Sequence, residues 1–265
     1  MHPMVNIAVR AARSAGNIIS RHMDRLDTLT IETKGRNDFV SEVDRLAEQE
    51  IIGVLRKAYP HHGILGEESG AQGEDEFQWV IDPLDGTTNF LYGVPHFAVS
   101  IALRHRGRLE VGVIYDPVRQ ELWTANRGGG AQLDGRRIRV SQRQGLEGAL
   151  LGTGFPHKAQ QHIDAYLGMF KALSRLAADI RRPGAAALDL AYVAAGRFDG
   201  FWEIGLAPWD MAAGLLLIQE AGGVVGDFTG GPGHLKSGNV VAGNPRVFAG
   251  IIREIQPYCT PELLK

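Results

Sequence analysis

The chain has 265 residues, of which 44% are hydrophobic and 22% are charged, and its formal net charge is -2 at pH 7. This composition supports one large core or two closely packed halves and excludes a disordered chain. The near-neutral charge does not favour binding to a nucleic-acid backbone, because that affinity comes mainly from an excess of Lys and Arg.

The first half of the chain is predicted to hold two helices followed by an antiparallel run of strands. Apolar residues recur at steps of about three to five, which predicts an amphipathic helix over residues 4–23, and a polar loop is predicted at 32–38. A second helix is predicted over 41–59, since Pro60 moves the preceding residue out of helical backbone. Strands are predicted at 64–65, 77–82, 97–103 and 109–115, with tight turns at 106–108 and 134–135.

The second half is predicted to alternate strands with helices, which is typical of layered folds. The predicted strands are 149–151, 179–182, 200–203, 224–228 and 240–242, and the predicted helices are 164–176, 185–196, 209–221 and 246–255. We therefore expect an N-terminal α+β half (1–140), with an antiparallel sheet and metal-binding motifs, packed closely against a C-terminal α/β half (141–265).

Features outside the core indicate where the protein acts. The single cysteine, Cys259, excludes an internal disulfide and fits a reducing compartment. Arg10, Arg13 and Arg21 interrupt the apolar residues near the N-terminus, so a signal peptide is not expected. The sequence also lacks the run of about 20 apolar residues that a membrane-spanning helix needs. These observations together predict a soluble cytoplasmic protein.

The most informative stretch is 82–89, Asp-Pro-Leu-Asp-Gly-Thr-Thr-Asn, which directly follows the apolar residues 79–81. Asp82 and Asp85 stand across a predicted turn, and Gly86 onward can open a helix. Hard divalent cations bind several oxygen ligands, and the free amides at a helix start bind phosphate. A simple capped turn is the alternative, but two Asp residues combined with Gly-Thr-Thr favour adjacent metal and phosphate sites.

Three further motifs could complete such a site. Glu67 and Glu68 follow an apolar strand, which suits metal ligation, although a solvated acidic turn fits equally well. Asp210 begins a predicted helix and would ordinarily be a cap, so only the other acids make it a candidate ligand. Small residues at 184–186 open another helix and leave its amides free for an oxyanion, unless this segment is a plain connection. Arg181-Arg182 could line the site or a subunit contact.

These four motifs, which span 66–68, 82–89, 184–189 and 209–210, occur in the order and spacing of the inositol monophosphatase family. The chain resembles that family over nearly its whole length. The resemblance implies a layered αβαβα sandwich of the inositol monophosphatase/fructose-1,6-bisphosphatase type, mixing α+β and α/β character, and a homodimer. It implies hydrolysis of inositol monophosphate by water activated by about two to three Mg²⁺ ions, with inhibition by lithium. Relatives with similar motifs hydrolyse fructose bisphosphate, nucleotide 3′-phosphates or dinucleotide phosphates, so these substrates remain alternatives.

The resemblance also implies a role for each matching residue. The implied metal ligands are Glu67, Asp82, the Leu84 carbonyl, Asp85 and Asp210, with Glu68 reaching an outer ion through water. The implied catalytic residues are Glu67, Asp85, Thr87 and Asp44, the last two as a pair that orients the attacking water. The implied substrate contacts are Asp85, Gly86, Thr87, Gly184, Ala185, Ala186, Glu203 and Asp210. Lys34 and Asp38 would lie on a mobile loop over the site.

A non-catalytic role is the second hypothesis. The chain most resembles bacterial members of the family, some of which are thought to bind the transcription machinery and influence ribosomal RNA synthesis. RNA polymerase and antitermination factors are therefore the alternative partners, with phosphatase activity secondary or vestigial. One feature of the sequence favours this role, a set of arginines that could form a basic patch or simply face solvent on strands. These are Arg104, Arg106, Arg108, Arg136, Arg137, Arg139 and Arg143.

Overall fold

Two long helices, α1 (Pro3–His22) and α2 (Glu42–Ala58), pack side by side against one face of a large sheet. The computed structural model describes residues 3–28, 31–35, 38–157 and 159–264, with only the backbone described at 24, 27, 28, 31–35 and 38–40. Ala11 and Ala15 of the predicted apolar stripe on α1 are buried, and so are Ala8 and Ile19, which the prediction did not include. The other members of the predicted stripe are partly buried against the same core. The first two helices of the sequence prediction are thereby confirmed.

The segment between these helices differs from its prediction. A short 3₁₀ helix (Met23–Thr28) leads to an antiparallel hairpin, β1 (Ile31–Gly35) and β2 (Asp38–Ser41), where a loop was expected. Phe39 and Val40 are residue types that favour strands, and the polar residues on either side of them conceal this in the sequence. The predicted roles of Lys34 and Asp38 lie outside the described residues, because at both positions the side chain is not described.

The large sheet contains eight strands in the order β10-β9-β8-β7-β6-β5-β3-β4. All neighbours are antiparallel except β3 and β5, which are parallel. The strands are β3 (Gly63–Gly66), β4 (Gly70–Gln72), β5 (Phe77–Asp85), β6 (Ala98–His105), β7 (Arg108–Asp116), β8 (Glu121–Asn126), β9 (Gly130–Leu133) and β10 (Arg136–Arg137). Successive residues face opposite layers, since Trp79 and Ile81 pack with α1 and α2 whereas Val80 packs on the other side.

Two helices, α5 (Ala186–Ala194) and α6 (Pro208–Glu220), lie between the large sheet and a second, smaller sheet. Residues 211–218 of α6 are all buried, as expected of a helix covered on every side. Gly112 in β7 permits the close approach of α6, because a Cβ atom there would lie 2.8 Å from the Ala213 carbonyl oxygen. Replacement of this glycine would therefore push α6 away from the sheet.

The smaller sheet has the order β12-β11-β13-β15-β14, and α4 (Ile163–Ser174) and α8 (Pro245–Ile255) pack on its outer side. Strand β11 is parallel to both of its neighbours, and the other pairs are antiparallel. Its strands are β11 (Leu150–Thr153), β12 (Asp179–Arg181), β13 (Gly200–Glu203), β14 (Val224–Gly226) and β15 (Val240–Gly243). The remaining helices are α3 (Thr87–Leu91), α7 (His234–Ser237) and the 3₁₀ turns Gln160–His162 and Gln256–Tyr258.

These layers confirm the expected αβαβα sandwich. The division at 140/141 stays a proposal, because α5 and α6 from the second half pack on the large sheet of the first. Most predicted strands shift at their ends, and the shift that matters for function is in β5, which runs on to Asp85 and does not end at Asp82. Among the described residues, every helix is too short or too polar to cross a membrane.

Candidate active site

A cavity of about 440 Å³ lies where the end of β5, the turn after β3 and the N-termini of α5 and α6 meet. These elements are far apart in the chain, so the cavity exists only in the folded layers. The residues predicted as direct metal ligands and as substrate contacts all line it, whereas Glu68, predicted to reach an ion through water, does not. They are Glu67, Asp82, Leu84, Asp85, Gly86, Thr87, Gly184, Ala185, Ala186, Glu203 and Asp210.

A break in the register of β5 presents Asp82 and Asp85. Asp82 pairs with Ser100 of β6 and Asp85 with Ala98, so β5 has one more residue than β6 between these pairs. The Leu84 amide donates to Asp82 Oδ1 (3.0 Å), which holds the bulged segment in place. Bulges of this kind redirect side chains near active sites. Both carboxylates therefore face the cavity although they belong to one strand.

Gly86 begins the short helix α3 and is required by its backbone. Its φ of 93° is in the left-handed region, and an added Cβ would lie 3.0 Å from the His96 carbonyl oxygen. Glycine adopts this conformation without a steric cost, unlike other residues. The first amides of α3 consequently stand at the cavity with no side chain from Gly86 to cap them.

Thr87 connects this motif to α2. Its hydroxyl donates to Asp44 Oδ1 (2.9 Å) and to the Leu84 carbonyl oxygen (3.0 Å). Asp44 is fixed in turn by a capping box, accepting from the amide (2.8 Å) and hydroxyl (2.6 Å) of Ser41. Burial raises the pKa of Asp44, and the hydrogen bonds from Ser41 and Thr87 oppose that rise. The two residues implied as a pair by the resemblance are thus in direct contact.

Two helix starts hold the remaining carboxylates. The Ala187 amide in α5 donates to Asp85 Oδ2 (2.7 Å), and the Ala207 amide before α6 donates to Asp210 Oδ2 (2.7 Å). The positive end of a helix dipole favours negative charge at such positions. Asp210 is therefore both a cap, as the simple interpretation of the sequence held, and a member of the site.

The carboxylates of the cavity repel one another. Burial is the largest cause that raises the pKa of Asp82 well above its ordinary value. The charges of Glu67, Asp85 and Asp210 raise the same pKa further. Burial and the charge of Asp210 likewise raise the pKa of Asp85, against hydrogen bonds from Ala187 and Ala186. A bound cation would relieve this repulsion.

The donor set fits a hard divalent cation, since carboxylate and carbonyl oxygens are the ligands that Mg²⁺ binds. In the part of the chain that the structure describes, no three His, Cys, Asp or Glu side chains are already arranged around one point to hold an ion. Carboxylates that repel one another spread apart when no cation lies between them. The structure thus provides the ligands and not a finished coordination shell.

Glu68 lies apart from the other predicted ligands. It lines a neighbouring pocket against α2, and its amide donates to Glu48 Oε2 (3.0 Å). Glu48 is buried beneath the turn, where a Cβ atom on Gly66 would overlap its carboxylate. Glu48 therefore supports the turn that presents Glu67, a role with no signal in the sequence beyond an acidic residue on the buried face of α2.

Sequence reasoning assigned no role to Asn89 or Asp189, which both line the cavity. Asn89 Nδ2 donates to the carbonyl oxygens of His96 (2.8 Å) and Pro183 (2.9 Å), which ties the loop before α5 to α3. Asp189 lies about one helical turn beyond Ala185 and Ala186, so helical spacing could have indicated it.

Exposed residues form the rim of the cavity. The Arg182 guanidinium lies 5.2 Å from the centre of the Phe155 ring and contacts His157. Arg182 lines the cavity, whereas Arg181 pairs with Asp179, so the two adjacent arginines are used differently. The alternative of a subunit contact stays a prediction.

The seven other arginines do not form one patch. Strand β10, which carries Arg136 and Arg137, is four strands from β6, or about 19 Å at ordinary strand spacing. Arg106 pairs with Glu76 and Arg143 with Asp199. Solvent-facing arginines on separate strands and in the segments that follow them therefore explain the sequence pattern.

Known proteins with the same organisation support one assignment. The family model described as "Inositol monophosphatase family" matches residues 1–259. The chain is 60% identical to "Nus factor SuhB" of Pseudomonas aeruginosa, over 99% of each chain. It is similar to the structure of the extragenic suppressor protein suhB from Bartonella henselae (TM-score 0.93, 47% identity, covering 96% of this chain and 98% of that one). It is also similar to an inositol monophosphatase from Anabaena (TM-score 0.87, 38% identity, covering 96% and 95%). With the cavity and its carboxylates, these matches show that the chain belongs to the inositol monophosphatase family.

Proposed function

We propose that this protein hydrolyses the phosphate ester of a small polyol, with inositol monophosphate as the first candidate substrate. The observation that supports this most is the meeting of Glu67, Asp82, Asp85 and Asp210 in one cavity, beside the open amides of α3. Membership of a family that is generally metal-dependent agrees with that chemistry. About two to three Mg²⁺ ions, held by these carboxylates and the Leu84 carbonyl, would activate a water molecule and neutralise the leaving oxygen.

In the proposed reaction, Thr87 orients the attacking water. The hydrogen of its hydroxyl is shared between Asp44 Oδ1 and the Leu84 carbonyl oxygen, so the lone pairs of Oγ1 are left to accept from water. The capping box of α2 fixes Asp44, so this acceptor direction is set before substrate binds. We propose Thr87 and Asp44, with Glu67 and Asp85, as the catalytic residues.

Two other groups would hold the substrate. The amides of Gly86 and Thr87 at the start of α3 can donate to phosphate oxygens, and preorganised donors of this kind stabilise developing negative charge. Glu203, Asp210 and the Gly184–Ala186 segment line the cavity where the alcohol part of the ester would lie. Phosphate and alcohol would therefore contact different elements, which allows the alcohol to be selected separately.

The test is phosphate release from myo-inositol 1-phosphate by the purified protein at increasing Mg²⁺. We expect metal-dependent turnover that Asp85→Asn lowers by about 100-fold or more. Asp164→Asn, an equivalent change at an exposed position in α4, is the matched control and should retain the parental rate. Turnover by Asp85→Asn equal to that of the control would contradict the proposed site.

Substrate range needs a panel, because the residues around the alcohol do not distinguish one polyol from another by geometry alone. Fructose bisphosphate, nucleotide 3′-phosphates and dinucleotide phosphates are the alternative substrates. Higher kcat/KM for one of them than for inositol 1-phosphate would replace the first candidate and leave the reaction class intact. We further propose inhibition by lithium, a homodimeric assembly and a cytoplasmic location, as the family resemblance implies.

A role in transcription is the second candidate function. The observation that favours it is the name of a relative, "Nus factor SuhB", that matches this chain over 99% of both lengths. We propose RNA polymerase or antitermination factors as the partners. The test is whether Asp85→Asn supports ribosomal RNA synthesis in cells that lack the parental protein. If the variant supports ribosomal RNA synthesis fully, the role in transcription does not require hydrolysis. If ribosomal RNA synthesis is lost, both functions depend on the same site.

A further inference from the structure

The cavity continues past the proposed metal ligands to a second pair of acids, Asp189 on α5 and Glu203 at the end of β13. Asp189 is only 1% exposed. Burial, the nearby charge of Glu203 and then that of Asp85 raise the pKa of Asp189. The positive charge of Arg182 at the rim lowers the pKa of both Asp189 and Glu203. Asp189 therefore lies close enough to Glu203, Asp85 and Arg182 for each of their charges to act on it.

One oxygen of Asp189 lacks a hydrogen-bond partner. Across the described residues, Asp189 Oδ1 is buried with no donor within reach. Buried polar atoms in proteins are nearly always paired, and a carboxyl group keeps an acceptor oxygen whether or not it is protonated. An oxygen left in this state is costly unless a molecule bound in the cavity supplies the donor.

The neighbouring residues leave room for such a molecule. Ala185 and Ala186 share the cavity-facing side of α5 with Asp189, as spacings of three and four residues along a helix require. Gly154 lies opposite, beside Glu203, and a Cβ atom there would overlap the Glu203 carboxylate. Small residues thus lie around two acceptor groups, the carboxyl groups of Asp189 and Glu203. This arrangement suits an alcohol that carries several hydroxyl groups.

We propose that Asp189 is a specificity-determining residue that accepts a hydrogen bond from a hydroxyl on the alcohol part of the substrate. The inference rests on the proposed function and names the alcohols that this site selects, polyols over apolar alcohols. A cationic alcohol fits less well, because the Arg182 guanidinium lines the same end of the cavity. Sites built to hydrogen-bond a substrate hydroxyl reject analogues that lack it far more strongly than apolar pockets reject a missing methylene.

The experiment compares two phosphate esters with the same ring, myo-inositol 1-phosphate and cyclohexyl phosphate. The measured quantity is the ratio of their kcat/KM values in Mg²⁺, for the parent, Asp189→Leu and Asp189→Asn. We expect the ratio to fall about 100-fold in Asp189→Leu, which removes both oxygens. In Asp189→Asn it should fall by less than about tenfold, because the amide keeps an acceptor oxygen.

If Asp189 has only a structural or metal-site role, its replacement lowers kcat/KM for both esters in parallel, and their ratio is unchanged. An unchanged ratio therefore overturns the inference, while the proposed function stands. If the parent hydrolyses neither ester, the proposed function is overturned, and the inference with it. If Asp189→Leu does not give a folded protein, judged by thermal unfolding, Asp189→Ala provides the same ratio without added bulk. An unchanged ratio in Asp189→Ala is then the contradicting result.

Discussion

At the scale of single residues, the site depends on groups whose hydrogen bonds are already committed. Thr87 donates its hydrogen to Asp44 and Leu84, Asp85 accepts from α5, and Asp210 accepts from the residue before α6. Each of these bonds fixes a side chain without substrate or metal. Preorganisation of this kind lowers a barrier because little reorganisation remains during the reaction.

The role of the Thr87 hydroxyl can be tested by an isosteric change. Thr87→Val keeps the shape of the side chain and removes the hydroxyl, so we expect kcat to fall by about 100-fold or more, with a smaller change in KM. Thr87→Ser keeps the hydroxyl and should remain within about tenfold of the parent. Steady-state kinetics on inositol 1-phosphate give both values. Equal activity of the Val and Ser variants would refute the proposed orientation of water.

At the scale of elements, the turn between β3 and β4 carries Glu67 and rests on α2. The buried carboxylate of Glu48 accepts the Glu68 amide and fills the space in which a side chain on Gly66 would lie. A change at Gly66 therefore reaches the site through the position of Glu67. Helix α2 itself contains a glycine, Gly53, at which an added Cβ atom would meet no neighbouring atom.

Substitution at these two glycines should have opposite effects. Gly66→Ala forces its Cβ against Glu48, so we expect a rise of about tenfold in the Mg²⁺ concentration for half-maximal rate, together with lower stability. Gly53→Ala meets nothing within 4 Å and should stabilise the protein by about 0.5–1 kcal/mol with no effect on the Mg²⁺ requirement. Thermal unfolding and Mg²⁺ titration of the rate test both. A parental Mg²⁺ requirement in Gly66→Ala would show that the turn does not position Glu67.

Most elements of the fold could be predicted from the sequence, but the bulge in β5 could not. Alternation and helical periodicity predicted most strands and helices, since these patterns follow from which face is buried. The bulge could not be predicted, because Asp82-Pro-Leu-Asp85 is typical of a turn and only pairing with β6 extends the strand. The hairpin β1–β2 was missed for a similar reason, as its polar residues resemble a loop.

The site itself was predicted through family motifs more than through spacing. Asp44 and Thr87 are 43 residues apart, and no local pattern joins them. Asp189 has the spacing of a residue on the buried face of α5 and was not assigned a role, because its unpaired oxygen is visible only in the fold. The implied roles of the metal ligands stay predictions until a metal is measured.

At the scale of the whole molecule, the middle layer brings both sheets to one site. Helices α5 and α6 pack against each sheet, and their N-termini bring Ala187 and Asp210 to the end of β5. The repelling carboxylates are therefore built into the core of the fold. Their repulsion should destabilise the protein whenever no cation is bound.

This cost predicts a dependence of stability on pH. The folded-state pKa of Asp82 is raised above its ordinary value, mainly by burial, so the folded protein binds more protons than the unfolded one from about pH 4 upward. The contribution of this group to stability is complete below that pH and is lost as pH rises through the folded pKa. In EDTA we expect Asp82→Asn to be more stable than the parent, by a margin that grows from about pH 4 to pH 8.

Thermal unfolding at each pH measures that margin, and each kcal/mol should shift Tm by about 2–4 °C in a chain of this size. Adding Mg²⁺ should raise the Tm of the parent and remove the advantage of the variant. A variant that is less stable than the parent in EDTA at every pH would show that the carboxylates do not repel one another as the structure indicates.

The most direct test of a magnesium site is calorimetric titration of Mg²⁺ into the metal-free protein, in two buffers of different ionisation enthalpy. We predict binding that releases protons, because carboxylates with raised pKa values must ionise to hold the ion. Asp82→Asn should bind at least about tenfold more weakly, and Asp164→Asn should match the parent. Binding of equal strength in Asp82→Asn, or no binding by the parent at millimolar Mg²⁺, would contradict a metal centre formed by Glu67, Asp82, Asp85 and Asp210.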